Sequence, residues 1–491
     1  MRLLLASSEI FPLAKTGGLA DVAGSLPVAL QADGVDVRLV MPAYHGVAQQ
    51  AEAREIANLG NPFGSGDALV LEGRLPGTDV PVWLIDCPRL FDRAGGPYQS
   101  DTGADWPDND MRFGLLSWAA ARLSQPNSPT GWVPDILHLN DWQTGLAAAY
   151  LRAWGGPLPG IVFTIHNMAF QGDFTSDLVP RLGLPWSFFT VNGFEYWNQL
   201  SFLKSGLVYS DKLTTVSPTY AREIQTPAYG FGMEGVLTNR ARDLSGVLNG
   251  ADYTIWDPAS DGYLARRYDP ATVAEGKTAN KIALQQQLGL PEQPDTPLLG
   301  VITRLSDQKG MDLLLAIMPA IIAQGAQLVM LGSGDHGLED AFTAMARSRP
   351  DHVAVHIGYS EDLAHRLQAA ADFVLIPSRF EPCGLTQLYG LRYGTLPVGH
   401  RTGGLADTIV DATYDTLFLG TATGLIFDSP VASAFQWCVE RAIGLFHNRD
   451  QMARMRATAM RQDYGWHRAA RHYINLYNGL RPDAALHTGT P

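Results

Sequence analysis

Lys15, Arg304, Lys309 and Glu381 are the residues whose types and surroundings ask for a ligand. Lys15 opens KTGGLAD (15–21), between an apolar run and the start of a helical pattern. Gly17 and Gly18 let the backbone approach a ligand closely, and the N–H groups of a helix start favour an anion. The plainer reading is a tight turn with a solvated lysine. Arg304 and Lys309 stand in TRLSDQKG (303–310), again after an apolar run. A guanidinium fork and an ammonium point charge converging on one pocket suit a diphosphate, the plainer alternative being two surface charges. In SRFEPCGLTQLYG (378–390) an apolar run delivers Glu381 into a loop, and Cys383 and Gly384 open a helix. A carboxylate beside free helix N–H groups is placed to hold polar hydroxyls. A helix start lowers a thiol pKa, yet Cys383 reads first as a small packing residue.

HLNDWQTG (138–145) and FTIHNMAFQG (163–172) put Asp141, Trp142, His166 and Asn167 just after two more apolar runs. A metal site from His138, Asp141 and His166 matches no standard ligand spacing, and no metal is expected. GFEYWNQLSFLK (193–204) is aromatic-rich. Most of it reads as core, while an exposed Trp or Tyr there would stack on sugar rings. GSGDHG (332–337) fits a dinucleotide pattern but stands in the second βα unit of its series, which argues against a nicotinamide cofactor. DND (108–110) has the form that holds a metal–nucleotide complex, but no apolar strand precedes it, so helix capping is the better reading.

Such residues need a scaffold that gathers strand ends. RLLLAS (2–7) reads as a strand, and Leu19, Val22, Ala23, Leu26, Ala29 and Leu30 follow at helical spacing. DG (33–34) stops that helix, and VDVRLVMP (35–42), PDILHLND (134–141), GIVFTIHN (160–167) and DKLTTVSP (211–218) read as further strands. A second series runs through PLLGVITRL (297–305), AQLVMLGSGD (326–335), HVAVHIGYS (352–360), DFVLIPSRF (372–380) and TLPVGHRTGG (395–404). The pattern predicts an α/β chain of two doubly wound domains, with ligands beyond the carboxyl ends of the strands. GVLNGAD (246–252) reads as a hinge. Residues 1–246 are expected to form one domain and 247–465 the other. Residues 466–491 are expected to form a helix crossing back to the first, ending in a frayed tail, PDAALHTGTP (482–491).

Of 491 residues, 46 % are hydrophobic and 17 % charged, enough for two large cores; the net charge of -13 argues against nucleic-acid binding. Cys87, Cys383 and Cys438 form no disulfide or zinc pattern and read as reduced thiols of a cytoplasmic protein. The opening MRLLLASSEIF is too short an apolar run for a signal peptide. The longest run, LLLAIMPAII (313–322), is broken by Pro319 and falls below a membrane span.

Taken in order, KTGGLADV, HNMAFQG, GVLNGAD, TRLSDQKG, EPCGLTQLYG and RTGGLADT resemble the motifs of bacterial glycogen synthases and plant starch synthases, from residue 3 to about residue 477. The resemblance implies the GT-B fold: two Rossmann-like domains facing a deep interdomain cleft. It implies transfer of glucose from ADP-glucose to the non-reducing end of an α-1,4-glucan, with retention of configuration and no metal or other cofactor. The implied partners are ADP-glucose and glycogen or a similar glucan, with no nucleic acid and no membrane; a homo-oligomer is left open. By the same resemblance Arg304 and Lys309 hold the diphosphate, with Lys15, Gly17 and Gly18 closing from the other domain. Tyr359 packs on the adenine, and Leu385 and Thr386 open the helix facing the phosphates. Glu381, with the backbone at Cys383 and Gly384, clamps the glucose hydroxyls. His166 and Asn249 contact the other side of the glucose, Asp141 helps nearby, and Tyr98, Trp142 and Asp21 lie in the acceptor or glucose vicinity. Many retaining GT-B enzymes carry Glu-x7-Glu here; this chain has Tyr389 at the second position, as bacterial glycogen synthases do, which favours same-face attack over a two-glutamate mechanism. TGGLAD starts at Thr16 and again at Thr402. The second copy is expected to shape the wall around Glu381, with Arg401 outside the site.

Overall fold

A computed structural model of the chain describes residues 1–480; the tail read at 482–491 lies outside the described residues. The chain divides into two compact units. Unit 1 comprises Met1–Gly250 and the helix Trp466–Leu480; unit 2 is Ala251–Gly465. The chain leaves unit 1 at Gly250, inside the motif read as a hinge and four residues past the expected limit at 246. The strand Leu244–Gly246 is still paired with Lys212–Thr215, and the Val247 N–H donates to the Thr215 carbonyl at 2.8 Å.

In unit 1, β1 (Arg2–Ala6), β2 (Asp36–Pro42), β3 (Arg54–Asn58), β4 (Leu69–Arg74) and β5 (Pro81–Asp86) come first. They are followed by β6 (Ile136–Asn140), β7 (Gly160–Ile165), β8 (Asp173–Thr175), β9 (Glu195–Tyr196), β10 (Gln199–Ser201), β11 (Lys212–Thr215) and β12 (Leu244–Gly246). The main sheet has the order β12-β11-β7-β6-β1-β2-β5-β4-β3, and β8-β10-β9 form a small separate sheet. From β12 to β5 every pairing is parallel, with β1 between β2 (Leu3↔Val37) and β6 (Leu4↔Leu137). Leu3, Leu4, Leu5, Ile136, Leu137, Ile161 and Phe163 are all buried, as expected of a sheet covered on both faces. β4 and β3 extend the edge antiparallel. No apolar run announces β3, whose Arg54, Glu55, Ile56 and Asn58 are exposed. The helix Gly18–Ala32 buries Leu19, Val22, Ala23, Leu26 and Leu30 and ends at Asp33 before Gly34, which is left-handed at φ +85°. Asp108 stands at the N-cap position of the helix Asn109–Leu123, but its carboxylate pairs with Arg93 (2.8 Å) and caps nothing.

Unit 2 contains β13 (Leu298–Ile302), β14 (Gln327–Gly332), β15 (Val353–Ile357), β16 (Phe373–Ile376), β17 (Leu396–His400) and β18 (Leu425–Phe427). They form one parallel sheet in the order β15-β14-β13-β16-β17-β18, the doubly wound order with its switch point between β13 and β16. GSGDHG has a structural task here. A Cβ at Gly332 or Gly334 would overlap the carbonyl of Thr303 or Leu305, so these glycines let the end of β14 press against the loop that carries Arg304.

Beneath this sheet Asp372 is buried between Lys281 (2.8 Å) and Arg456 (2.6 Å), and it accepts the Leu298 N–H at 2.9 Å. Burial pushes its carboxyl up, but the two cations outweigh that and hold it below the usual carboxylate range. The stability it contributes is present above the unfolded-state pKa of about 3.9 and is lost as pH falls through the lower folded value. Asp372→Asn strands two buried cations and should cost about 3–5 kcal/mol. Urea unfolding at pH 7 measures this, and the gap between the variant and the parent should narrow as the pH is lowered toward 3.

Candidate active site

The loop after β1 is organised by Glu9, whose side chain is buried. Its carboxylate accepts the Thr16 N–H, the Thr16 hydroxyl (2.9 Å), the Gly17 N–H (3.2 Å) and the Tyr98 hydroxyl (2.9 Å). Tyr98 also shares a 2.7 Å hydrogen bond with the Ser8 hydroxyl. Burial raises the Glu9 pKa, and the donors from Thr16, Tyr98 and Gly17 pull it back. Lys15 projects from this loop, donating to Asp21 at 2.8 Å from the first turn of the following helix. Glu9 thus fixes the backbone of the turn and Asp21 fixes its charge. A Cβ at Gly17 would meet no atom within 4 Å, so space is open beside that backbone.

Beyond β6 and β7 lie Asp141 and His166, both buried. Asp141 has a left-handed backbone (φ +55°), rare for a non-glycine residue, and its carboxylate accepts the His166 N–H at 2.6 Å and the Asn167 N–H. Burial pushes its pKa up to about 7, against those two donors. The His166 Nε2 meets the Asn140 Oδ1 at 2.9 Å, while the Asn140 amide donates to the Ala6 carbonyl at 3.0 Å. That donation fixes Oδ1 as an acceptor, so Nε2 carries the proton and Nδ1 is left as a lone pair. Burial lowers the His166 pKa to about 3, so the ring is neutral at physiological pH.

His138 takes other partners. It is buried between the Tyr477 hydroxyl (2.7 Å) and the Thr164 hydroxyl (2.6 Å). Among the described residues, no group of three His, Cys, Asp or Glu side chains is placed to hold a metal ion. The Trp142 ring is wedged against Phe113 (5.1 Å), Phe174 and Phe202 and leaves no room for a side chain at Gly172. Asn249 is buried, and its side-chain oxygen has no hydrogen-bond partner among the described residues.

In unit 2 the loops after β13 and β16 meet. Lys309 Nζ lies 2.6 Å from a Glu381 carboxylate oxygen, which also accepts the Ser378 hydroxyl at 2.8 Å. The backbones are joined by the Arg379 N–H donating to Gln308 (2.8 Å), and a Cβ at left-handed Gly310 would overlap the Pro377 carbonyl. Arg304 is exposed and makes no ion pair among the described residues. Cys383 is buried; Gly384 is left-handed at φ +72°, and Leu385 stands at the N-cap of the helix Thr386–Tyr393. Tyr389 lies flat against Trp256 (4.0 Å), which stacks on His365 (3.8 Å). Tyr359 follows β15, exposed, with its hydroxyl on Glu361.

The second TGGLAD supports this loop. The Gly404 N–H reaches the carbonyls of Glu381 and Pro382, both at 3.1 Å. A Cβ at Gly403 or Gly404 would overlap the backbone of Glu381 or Cys383. Arg401 points elsewhere, to Asp428 at 2.6 Å.

Within unit 1 the structure joins Lys15 to Asp21, and Asp141 to His166; within unit 2 it joins Lys309 to Glu381. Tyr98 acts on Glu9, and Trp142 on its neighbouring rings. Sequence reasoning passed over Glu9, Asn140 and Ser378. Their signal was position, since each lies at or just past the end of a strand.

A family model described as the starch synthase catalytic domain matches residues 2–239, and one described as glycosyl transferases group 1 matches residues 296–442. The chain is 58% identical over 483 residues to the glycogen synthase of Paramagnetospirillum magneticum, covering 98% of each chain. It is 47% identical over 481 residues to that of Rhodospirillum rubrum, again covering 98% of each. Among solved structures it is similar to the catalytic domain of starch synthase IV from Arabidopsis thaliana bound to ADP and acarbose. The TM-score is 0.88 at 31% identity, over 98% of this chain and 99% of that one.

The two glycine turns should respond differently to a methyl group. Gly404→Ala is expected to lose about 1–3 kcal/mol by overpacking, and Gly17→Ala to unfold as the parent does; thermal melting compares them. Asp141 gives a second test. The rate should rise with pH through about 7 as its carboxylate ionises and grips the His166 and Asn167 N–H groups. A pH–rate profile of Asp141→Asn should lack that inflection.

Proposed function

The chain belongs to the glycogen and starch synthases, two-domain GT-B glycosyltransferases that transfer glucose from ADP-glucose to the non-reducing end of an α-1,4-glucan, and we propose how its own residues share that work. The observation that carries the assignment is the Lys309–Glu381 pair, which presents a cation and an anion side by side at 2.6 Å. Breaking the glucosyl–phosphate bond leaves negative charge on the departing ADP. Fixed cations and N–H dipoles stabilise that charge without a metal ion. Arg304, exposed and without an ion pair, meets the diphosphate, and Lys309 shares its charge between phosphate and Glu381. Glu381 holds glucose hydroxyls, with the backbone at Cys383, Gly384, Leu385 and Thr386 alongside. Tyr359 offers an exposed ring to the adenine.

Unit 1 supplies the remaining groups. Lys15, held by Asp21 beside the open space at Gly17, serves the phosphate. His166 accepts a glucose hydroxyl at Nδ1, and the unpartnered Asn249 oxygen accepts another. Retention follows from attack on the face that ADP leaves, the leaving phosphate taking the acceptor's proton. Three features support this over a covalent intermediate. Glu381 is neutralised by Lys309 and Ser378, Asp141 is bound to two backbone N–H groups, and the second glutamate position is Tyr389, stacked on Trp256.

The test is release of ADP from ADP-glucose with glycogen present, against UDP release from UDP-glucose. Arg304→Ala should lower kcat about 10²–10³-fold, equivalent to roughly 2.7–4 kcal/mol, by comparison with a lost oxyanion donor. Turnover with UDP-glucose alone would sink the donor assignment, and a trapped glucosyl-enzyme would sink same-face attack.

A further inference from the structure

The hairpin of β9 and β10 carries Trp197 at its tip, 83 % exposed. Both turn residues are left-handed, Trp197 at φ +49° and Asn198 at φ +63°. Turns of this kind favour Asn or Gly at both positions. Asn198 fits; a bulky aromatic at Trp197 does not, and it also faces water. A side chain disfavoured by its backbone and by its solvent points to a task outside the fold.

The tip is held firmly. The Asn198 N–H donates to the Glu195 carboxylate at 2.7 Å. Buried Lys204 ties the Glu195 carbonyl to that of Val191. The Tyr196 hydroxyl and the Gln171 amide both donate to the Phe231 carbonyl, at 3.2 and 2.9 Å. Through these bonds the hairpin is continuous with the segment after β7. There Phe170, 49 % exposed, lies three residues past Asn167, and its N–H donates to the Asn167 carbonyl.

We propose that Trp197, on a hairpin bonded to segments that also expose Phe170 and Phe231, is a stacking platform for the α-1,4-glucan acceptor at sugar rings away from the reacting end; this rests on the glucan acceptor assigned above. The C–H face of a glucose ring packs on an aromatic face, and the exposed amides of Asn198 and Gln199 beside Trp197 are suited to its hydroxyls. A polymer extends beyond the residue being elongated, so a platform continuous with the His166–Asn167 loop has rings to meet.

Trp197→Gly removes the ring while suiting the left-handed turn, so misfolding does not imitate the expected result. In native gels containing glycogen and no ADP-glucose, the full-length variant should lose several-fold of the parent's retardation, and Trp197→Phe should recover most of it. In turnover, Trp197→Gly should raise KM for glycogen several-fold, leaving kcat and KM for ADP-glucose unchanged. Unchanged retardation of Trp197→Gly overturns the proposal. So does a dimer in the parent that becomes a monomer in the variant, because the tip then contacts a second copy. Retardation is read without donor, so a parent that binds glycogen but turns over no ADP-glucose counts against the reaction and leaves the platform standing.

Discussion

The Glu381 carboxylate, held between the Lys309 ammonium and the Ser378 hydroxyl, is the contact on which the site of unit 2 depends. Three loops from the carboxyl ends of β13, β16 and β17 converge there, and the first and last give up side-chain volume to press on the middle one. Gly310 lies against Pro377, and Gly403 and Gly404 lie against the Glu381–Cys383 backbone. The doubly wound order makes the convergence possible, since β13 is adjacent to β16 and β16 to β17. What an ion pair needs in the interior is a second polar partner and a rigid frame, and here both come from neighbouring strand ends.

Unit 1 solves a similar problem with different parts. Its turn at Thr16–Gly17 is gripped by the side chain of a buried glutamate; the turn at Thr402–Gly404 grips the main chain of one. One hexapeptide therefore serves two purposes. In the first copy the glycine backbone borders open space, and in the second it makes room for another loop. The basic residue before each copy differs accordingly, with Lys15 kept beside its turn by Asp21 and Arg401 drawn away to Asp428.

Much of this was legible in the sequence because it is local. Apolar runs gave most of the parallel strands, though not β5, β12 or β18, and polar residues just after them gave Lys15, Asp141, His166, Arg304, Lys309 and Glu381 as candidates. What escaped is what depends on contact across the fold. Glu9 carries no signal of its own until Thr16, Gly17 and Tyr98 are seen around it, and Asn140 reads as a strand end until its amide is seen to set the His166 tautomer. The resemblance places Trp142 in the acceptor or glucose vicinity, and three rings pack against it. β3 and β4 lacked a signal because an edge exposed to water needs no continuous apolar run.

The C-terminal helix Trp466–Leu480 belongs to unit 1, where Tyr477 bonds buried His138 and Leu480 packs at Gly160. This has a consequence for the order of synthesis. Every residue of unit 2 has been made by the time the ribosome passes Gly465, whereas unit 1 lacks a wall until the last helix emerges. The domain begun first is thus the one finished last, contrary to the usual N-to-C order of co-translational folding. A chain ending before Trp466 would contain every residue of unit 2 and a unit 1 without the helix that packs on His138 and Gly160.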